Sequence, residues 1–113
     1  MDEAAILSRL RRICLALPNS TESVSFGHPV FRTSGKIYAA LETYRGELSI
    51  CFKVGKQIQG VFLEDARFYK TPYVGQHGWV SLRAHAAALD WEELGELLRG
   101  SHELIGTPVK RPK

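Results

Sequence analysis

The stretch Lys36-Ile37-Tyr38-Ala39-Ala40-Leu41-Glu42-Thr43-Tyr44-Arg45-Gly46-Glu47-Leu48-Ser49-Ile50-Cys51-Phe52-Lys53 decides the fold class. Ile37, Ala39 and Leu41 alternate with Lys36, Tyr38 and Ala40. That period of two is a strand with one face turned inward. Tyr44 to Glu47 interrupts it with turn residues. Leu48, Ile50 and Phe52 then form the inner face of a second strand, with Ser49, Cys51 and Lys53 outward. Strands joined by so short a connection pair antiparallel, because a parallel pair needs a crossover of about a dozen residues or more.

The pattern extends both ways. Val30 to Thr33 reads as a strand, and Ser34-Gly35 as a tight hairpin turn, which makes a three-stranded meander. Downstream, Phe68-Tyr69-Lys70 reads as a short strand ended by Pro72, and Gly75-Gln76-His77-Gly78 as a loop. Trp79 to Arg83 is a further strand, with Val80 and Leu82 opposed to Trp79, Ser81 and Arg83. Residues 55–63 are ambiguous. Ile58 and Phe62 have helical spacing, but Gly60 weakens a helix by roughly 1 kcal/mol relative to Ala.

Helices flank these strands. Ile6, Leu10, Ile13, Cys14 and Leu17 form one stripe at helical period, with Asp2 and Glu3 at its positive end and Pro18-Asn19 as its stop. Asp90 is an N-cap, with Glu93 three residues on as in a capping box. Trp91, Leu94, Leu97 and Leu98 continue as a buried stripe, Leu104 and Ile105 extend it, and Gly100 marks an end or a kink. Thr107 to Lys113 reads as a flexible basic tail. The order is α-β-β-β-(α)-β-β-α. It describes one α+β domain over residues 1–113, a single mainly antiparallel sheet with the N- and C-terminal helices packed on one face.

The 113 residues, 44% hydrophobic, suffice for a core and exclude a disordered chain. No apolar run reaches the roughly 18 residues of a membrane span, and Met1-Asp2-Glu3 lacks the positive flank of a signal peptide. The expectation is a cytoplasmic protein without a membrane partner, and a monomer. Cys14 and Cys51 have neither metal-ligand spacing nor a CxxC pattern and are read as reduced and buried. The net charge of +3 resides entirely in Lys110, Arg111 and Lys113, since residues 1–105 hold 12 basic and 12 acidic side chains. Residues 26–89 are mildly basic and residues 90–105 acidic, a hint about partners rather than fold.

Catalytic and metal motifs are missing from the sequence. His28, His77, His85 and His102 have no ligand partner at metal spacing, and neither a nucleophile elbow nor a phosphate-binding loop occurs. Glu64-Asp65 falls in a turn and Glu92-Glu93 in a helix opening, where acids are expected anyway. The expectation is therefore no cofactor, no metal and no catalytic residue. His28, in Gly27-His28-Pro29, reads as a turn residue. The outward sheet face would carry Lys36, Tyr38, Lys53, Trp79 and Arg83, with Lys70 and Tyr73 near its rim. Cations interleaved with rings suit phosphates and bases. The same residues also serve as cover, their stems and rings shielding the second face of a sheet. Tyr69 to Trp79 is the densest cluster of functional side chains.

An ordered set of short segments carries a resemblance. It comprises Leu15-Ala16-Leu17-Pro18 with Thr21-Glu22, Phe26-Gly27-His28-Pro29 with Phe31-Arg32, and Gly35-Lys36-Ile37-Tyr38-Ala39. Trp79-Val80 and a closing helix with Leu97-Leu98 and Ser101 complete it. From about Ile6 to Pro108 the chain resembles the MmcQ/YjbR family. The resemblance implies a fold related to CyaY (frataxin) and a "double wing" DNA-binding role, the wings here being the turns near Ser34-Gly35 and Tyr44 to Glu47. It supplies no catalytic residues. The resulting expectation is a weak, sequence-tolerant, non-enzymatic nucleic-acid (DNA) binding module. Arg32, Lys36, Arg45, Lys53, Lys70 and Arg83 would meet phosphates, while Tyr73, His77 and Trp79 would stack or hydrogen-bond. The alternative is a small-ligand or protein-interaction domain whose pocket is lined by the Tyr73–Trp79 region.

Overall fold

Phe26-Gly27, Ser34-Gly35 and Arg45-Gly46 all have positive φ. A two-residue type I′ turn requires this at both positions to match the twist of its flanking strands. In the computed structural model, which describes residues 1–106, these turns join four strands: β1 (Ser20–Ser25), β2 (His28–Thr33), β3 (Lys36–Tyr44) and β4 (Glu47–Lys53). Two more strands, β5 (Phe68–Lys70) and β6 (Trp79–Arg83), complete a six-stranded sheet of order β1-β2-β3-β4-β6-β5. Every neighbouring pair is antiparallel. Helices α1 (Glu3–Cys14) and α3 (Trp91–Gly106) cover one face, and α2 (Lys56–Leu63) packs beside β5 and β6. The expected fold class is thus observed. The basic tail expected at residues 107–113 lies outside the described residues.

The helices begin where the sequence placed them. Asp2 Oδ1 accepts from the Ala5 amide at 2.8 Å, and Asp90 Oδ1 accepts from the amides of Glu92 and Glu93 at 3.1 Å each. Glu93 does not reach back to close a capping box; its carboxylate goes to Arg67 on another element. Ile6, Leu10 and Cys14 of α1 and Leu94 and Leu98 of α3 bury against Phe31, Leu41, Ile50, Phe52, Val80 and Leu82 of the sheet. α3 runs through Gly100 to Gly106 without ending there, because burial of Leu98 and Ser101 on either side outweighs one glycine.

Two strand readings are corrected. The segment Ser20–Ser25, with one strongly apolar residue in six, forms edge strand β1. His28 is accordingly the first residue of β2, paired with Ser25, while the turn is Phe26-Gly27. The alternation assigned to β3 also fails. Phe31 pairs with Ala39 but Arg32 pairs with Ile37, so Tyr38 is an extra residue, a β-bulge. The bulge turns Tyr38 to the helix side, where it is fully buried, and puts Ile37 on the open face with Val30 and Ala40.

A side chain from α3 completes the ladder at this break. The Ser101 hydroxyl donates to the Tyr38 carbonyl at 2.6 Å and accepts from the Lys53 amide at 2.9 Å, bridging β3 and β4 where regular pairing ends. Tyr38 itself donates to the Cys14 carbonyl at 3.2 Å and shares a 2.6 Å bond with Ser20, while its ring meets His102 edge-on at 5.1 Å. One residue therefore ties α1, β1, β3 and α3. Burial holds the Tyr38 hydroxyl well above the usual phenol range, so it remains a donor.

Arg67 secures the other end of the sheet. Its guanidinium bonds Asp65 at 2.8 Å and Glu93 of α3 at 2.8 Å, and lies 5.2 Å from the Phe68 ring. The side-chain bond from Arg67, helped by its backbone amide, pulls the Asp65 carboxyl below the usual range. A group whose pKa falls on folding stabilises the native state above the unfolded value of about 3.9 and loses that contribution as pH drops through the folded one.

Two outcomes follow. Ser101→Ala, which strands the buried Tyr38 carbonyl and the part-buried Lys53 amide, lowers unfolding free energy by about 1–3 kcal/mol in urea titrations; a loss below about 0.5 kcal/mol would remove the bridging role. Asp65→Asn flattens the fall of melting temperature on acidification. An acid limb identical to that of the parent chain would show that the Asp65–Arg67 pair carries none of it.

Candidate functional site

With α1 and α3 on one side, the opposite face of the sheet has no covering layer among the described residues. Cross-strand pairing lines up Val30, Ala40, Cys51 and Ser81 along one row of that face. Ile37 and Trp79 pack against the first three and form a second, smaller apolar cluster. Above it lies a cleft of about 480 Å³ lined mainly by Phe26, Val30, Ile37, Ala40, Glu42, Cys51, Pro72, Tyr73, Val74 and Trp79. This volume falls in the range of small-molecule sites, about 300–1,000 Å³.

Two loops form its rims. On one side stands the β1–β2 turn, whose Phe26 is 98% exposed. On the other stands the segment after β5, whose Tyr73 is 93% exposed. Both rings sit on backbone with positive φ, 50° at Phe26 and 69° at Tyr73. Such residues cost of order 1–3 kcal/mol each, and neither recovers this by burial. The second rim is anchored from below. Gln59 of α2 donates through Nε2 to the carbonyls of Gly75 at 2.7 Å and Trp79 at 2.9 Å. Gly78 lies so close to Gly55 that a Cβ would stand 2.6 Å from the Gly55 carbonyl carbon. The Gly78 carbonyl accepts from the amides of Val54 and Gly55.

The cleft floor is chemically quiet. Burial pushes the Cys51 thiol up to about 12 against the opposing effect of its bond to Ser81, so it is protonated at neutral pH and a poor nucleophile. Ser81 is shared between Cys51 at 3.3 Å and Thr71 at 2.9 Å. Among the described residues no three His, Cys, Asp or Glu side chains gather as metal ligands would, and no helix is long and apolar enough to cross a membrane.

The residues singled out from sequence do not form one patch. Trp79 and Tyr73 line the cleft. Arg32 lies on β2 and is engaged by Ser23 Oγ at 3.0 Å and the Gly35 carbonyl at 2.9 Å. Lys53 stands opposite Trp79 across β4 and β6 and borders a separate hollow with His77 beside the start of α2. Lys36 stands opposite the buried Thr33. The Lys70 stem packs against Gly75. Arg83 bonds Glu47 at 3.1 Å and the carbonyls of Ala66 and Phe68, and lies 4.8 Å from the Tyr69 ring. Arg45 lies 5.2 Å from the Tyr44 ring. Its turn and Ser34-Gly35, the two expected wings, cap opposite ends of nine-residue β3, about 30 Å apart at the usual strand rise. Phe26, Glu42 and Gln59 were not singled out. Phe26-Gly27 carried a turn signal, but with β1 unrecognised it had no hairpin to belong to.

The fold and site together define an α+β domain with helices over one sheet face and an apolar cleft on the other. The family description YjbR matches residues 15–104, and the chain belongs to the YjbR family. Among solved structures it resembles a Deinococcus radiodurans protein, DR2400, assigned to domain DUF419. The TM-score is 0.74 and the identity 26%, over 88% of this chain and 77% of that one. It also resembles a Pseudomonas syringae structural-genomics target at TM-score 0.74, over 93% of this chain and 99% of that one; at 16% identity this likeness concerns the fold alone. No curated protein matches the chain.

Phe26→Asn tests whether the rim is held against local preference. Asn is favoured at this turn position and little burial is lost, so the substitution raises stability by about 0.5–1 kcal/mol, a few degrees in melting temperature. A destabilised Phe26→Asn chain would show that the ring supports the fold.

Proposed function

We propose that this protein is a binding module whose working surface is the open-face cleft, and that its ligand is a small molecule with a flat or otherwise apolar body. The observation that carries this reading is the pair of nearly fully exposed rings, Phe26 and Tyr73, held in left-handed backbone on opposite rims of an apolar floor. Exposed apolar surface flanked by a shaped cavity marks interaction sites. At Tyr73, which lies in no two-residue hairpin turn, the left-handed backbone is strain of the kind that clusters at such sites.

A second reading, single-stranded nucleic acid, is favoured by Arg32, which stands opposite Ile37 in the strand register and so belongs to the face that carries Trp79. Bases would stack on Phe26, Tyr73 and Trp79, and phosphates would run past Arg32 and Lys53. The scatter of Lys36, Arg45, Lys70 and Arg83 weighs against it. So do the internal partners of Arg32 and Arg83.

Titration of ¹⁵N-labelled protein with indole and quinoline separates the outcomes. In the small-ligand reading the Trp79 indole signal and the amides of Ile37 and Ala40 move together, while Trp91 stays still. Shifts spread over the surface, or confined to other hollows, would sink it. In the nucleic-acid reading a short oligothymidylate moves the same signals at low salt, and the effect fades steeply as salt rises.

A further inference from the structure

Two independent features of the cleft concern charge. The first is a carboxylate. Of the half-buried acids Glu22, Glu42, Asp65 and Glu93, three are paired with an arginine: Glu22 with Arg11, and Asp65 and Glu93 with Arg67. Glu42 has no ion-pair partner among the described residues and accepts one long contact, from the Cys51 thiol at 3.9 Å. It is the single charged side chain among the described residues lining the cleft. Arg32 is held by Ser23 and Gly35, and Lys53 borders another hollow.

The second is the set of rings. Tyr44, Phe68, Tyr69 and Trp91 each carry an arginine against a ring face, from Arg45, Arg67, Arg83 and Arg9, at 4.8–5.2 Å. Phe26, Tyr73 and Trp79 carry none among the described residues and pair with no other ring. All three line the cleft that holds Glu42.

We infer that the cleft takes a small organic cation, an ammonium with an apolar or methylated head. This rests on the small-ligand reading above. Aromatic faces attract a cation through their quadrupoles, and do so best when the cation is weakly hydrated, as a quaternary ammonium is. Glu42 supplies the net negative charge that an apolar floor needs to neutralise such a ligand without stranding a buried ion. The same carboxylate repels phosphate, so the cleft discriminates against anions of similar size.

The test follows the Trp79 indole N–H by NMR while the chain is titrated with benzyltrimethylammonium, benzyl alcohol and benzenesulfonate. The expected result is that the ammonium binds about tenfold more tightly than the alcohol and that the sulfonate is weakest. Glu42→Gln reduces the ammonium's advantage over the alcohol to about threefold or less. Tyr73→Ser, at an exposed position that folding does not depend on, weakens the ammonium severalfold. Equal affinity for ammonium and alcohol, an advantage undiminished by Glu42→Gln, or tightest binding of the sulfonate would each overturn the cation assignment while leaving the cleft as a site. Binding of none of the three would overturn the cleft reading as well.

Discussion

Where β3 and β4 part, the hydroxyl of Ser101 stands between the Tyr38 carbonyl and the Lys53 amide. The residue whose carbonyl it takes, Tyr38, is also the extra one that β3 carries relative to β2. The bulge sends Tyr38 to the helix side, where its hydroxyl meets Cys14 and Ser20, and sends Ile37 to the other side, where it joins Val30, Ala40 and Trp79. Core and cleft floor are products of the same irregularity. A regular β3 would put a tyrosine on the open face and remove one of the contacts that join α1 to α3, leaving Arg9 over Trp91.

The surface treats its aromatic rings in two ways. Away from the cleft, rings that reach solvent are shielded: an arginine lies over Tyr44, Tyr69 and Trp91, and Phe62 packs edge-on against Phe68. On the cleft no arginine or lysine of the described residues lies over them. Much of the cationic inventory is consumed in this shielding and in ion pairs, which is why a count of arginines overstates the charge available to a partner. Arg83 illustrates it, with one guanidinium satisfying a glutamate, two carbonyls and a ring face.

What the sequence revealed follows from how local each signal is. Helix stripes, the acid Asp2 at the positive end of α1, the cap at Asp90, and the turns Ser34-Gly35 and Arg45-Gly46 are encoded within a few residues and were legible. β1 was not, because its stability comes from pairing with β2 and from the Arg11–Glu22 contact across to α1, neither of which leaves an apolar alternation in Ser20–Ser25. The facing of Tyr38 was misread because a bulge is invisible to a period-two count until the partner strand is known. In the cleft, Tyr73 and Trp79 were found through composition. Glu42 was missed since its distinction is the lack of an ion-pair partner among the described residues, a property of three dimensions only.

Chain order gives the sheet two halves of unequal closure cost. β1 to β4 are linked by two-residue turns, whereas residues 54–78 intervene before β6 returns to β4. Closing a loop of that length costs about 2 kcal/mol more in chain entropy than closing a two-residue one. Loop-closure entropy alone therefore favours forming the meander before β6 joins it. Ile37, Ala40 and Cys51 come with the meander; Trp79 and the Thr71–Val74 rim come with the segment that joins afterward. The cleft is thereby finished only when the whole chain is, since the meander alone supplies part of the floor and the Phe26 rim but neither Trp79 nor the Tyr73 rim.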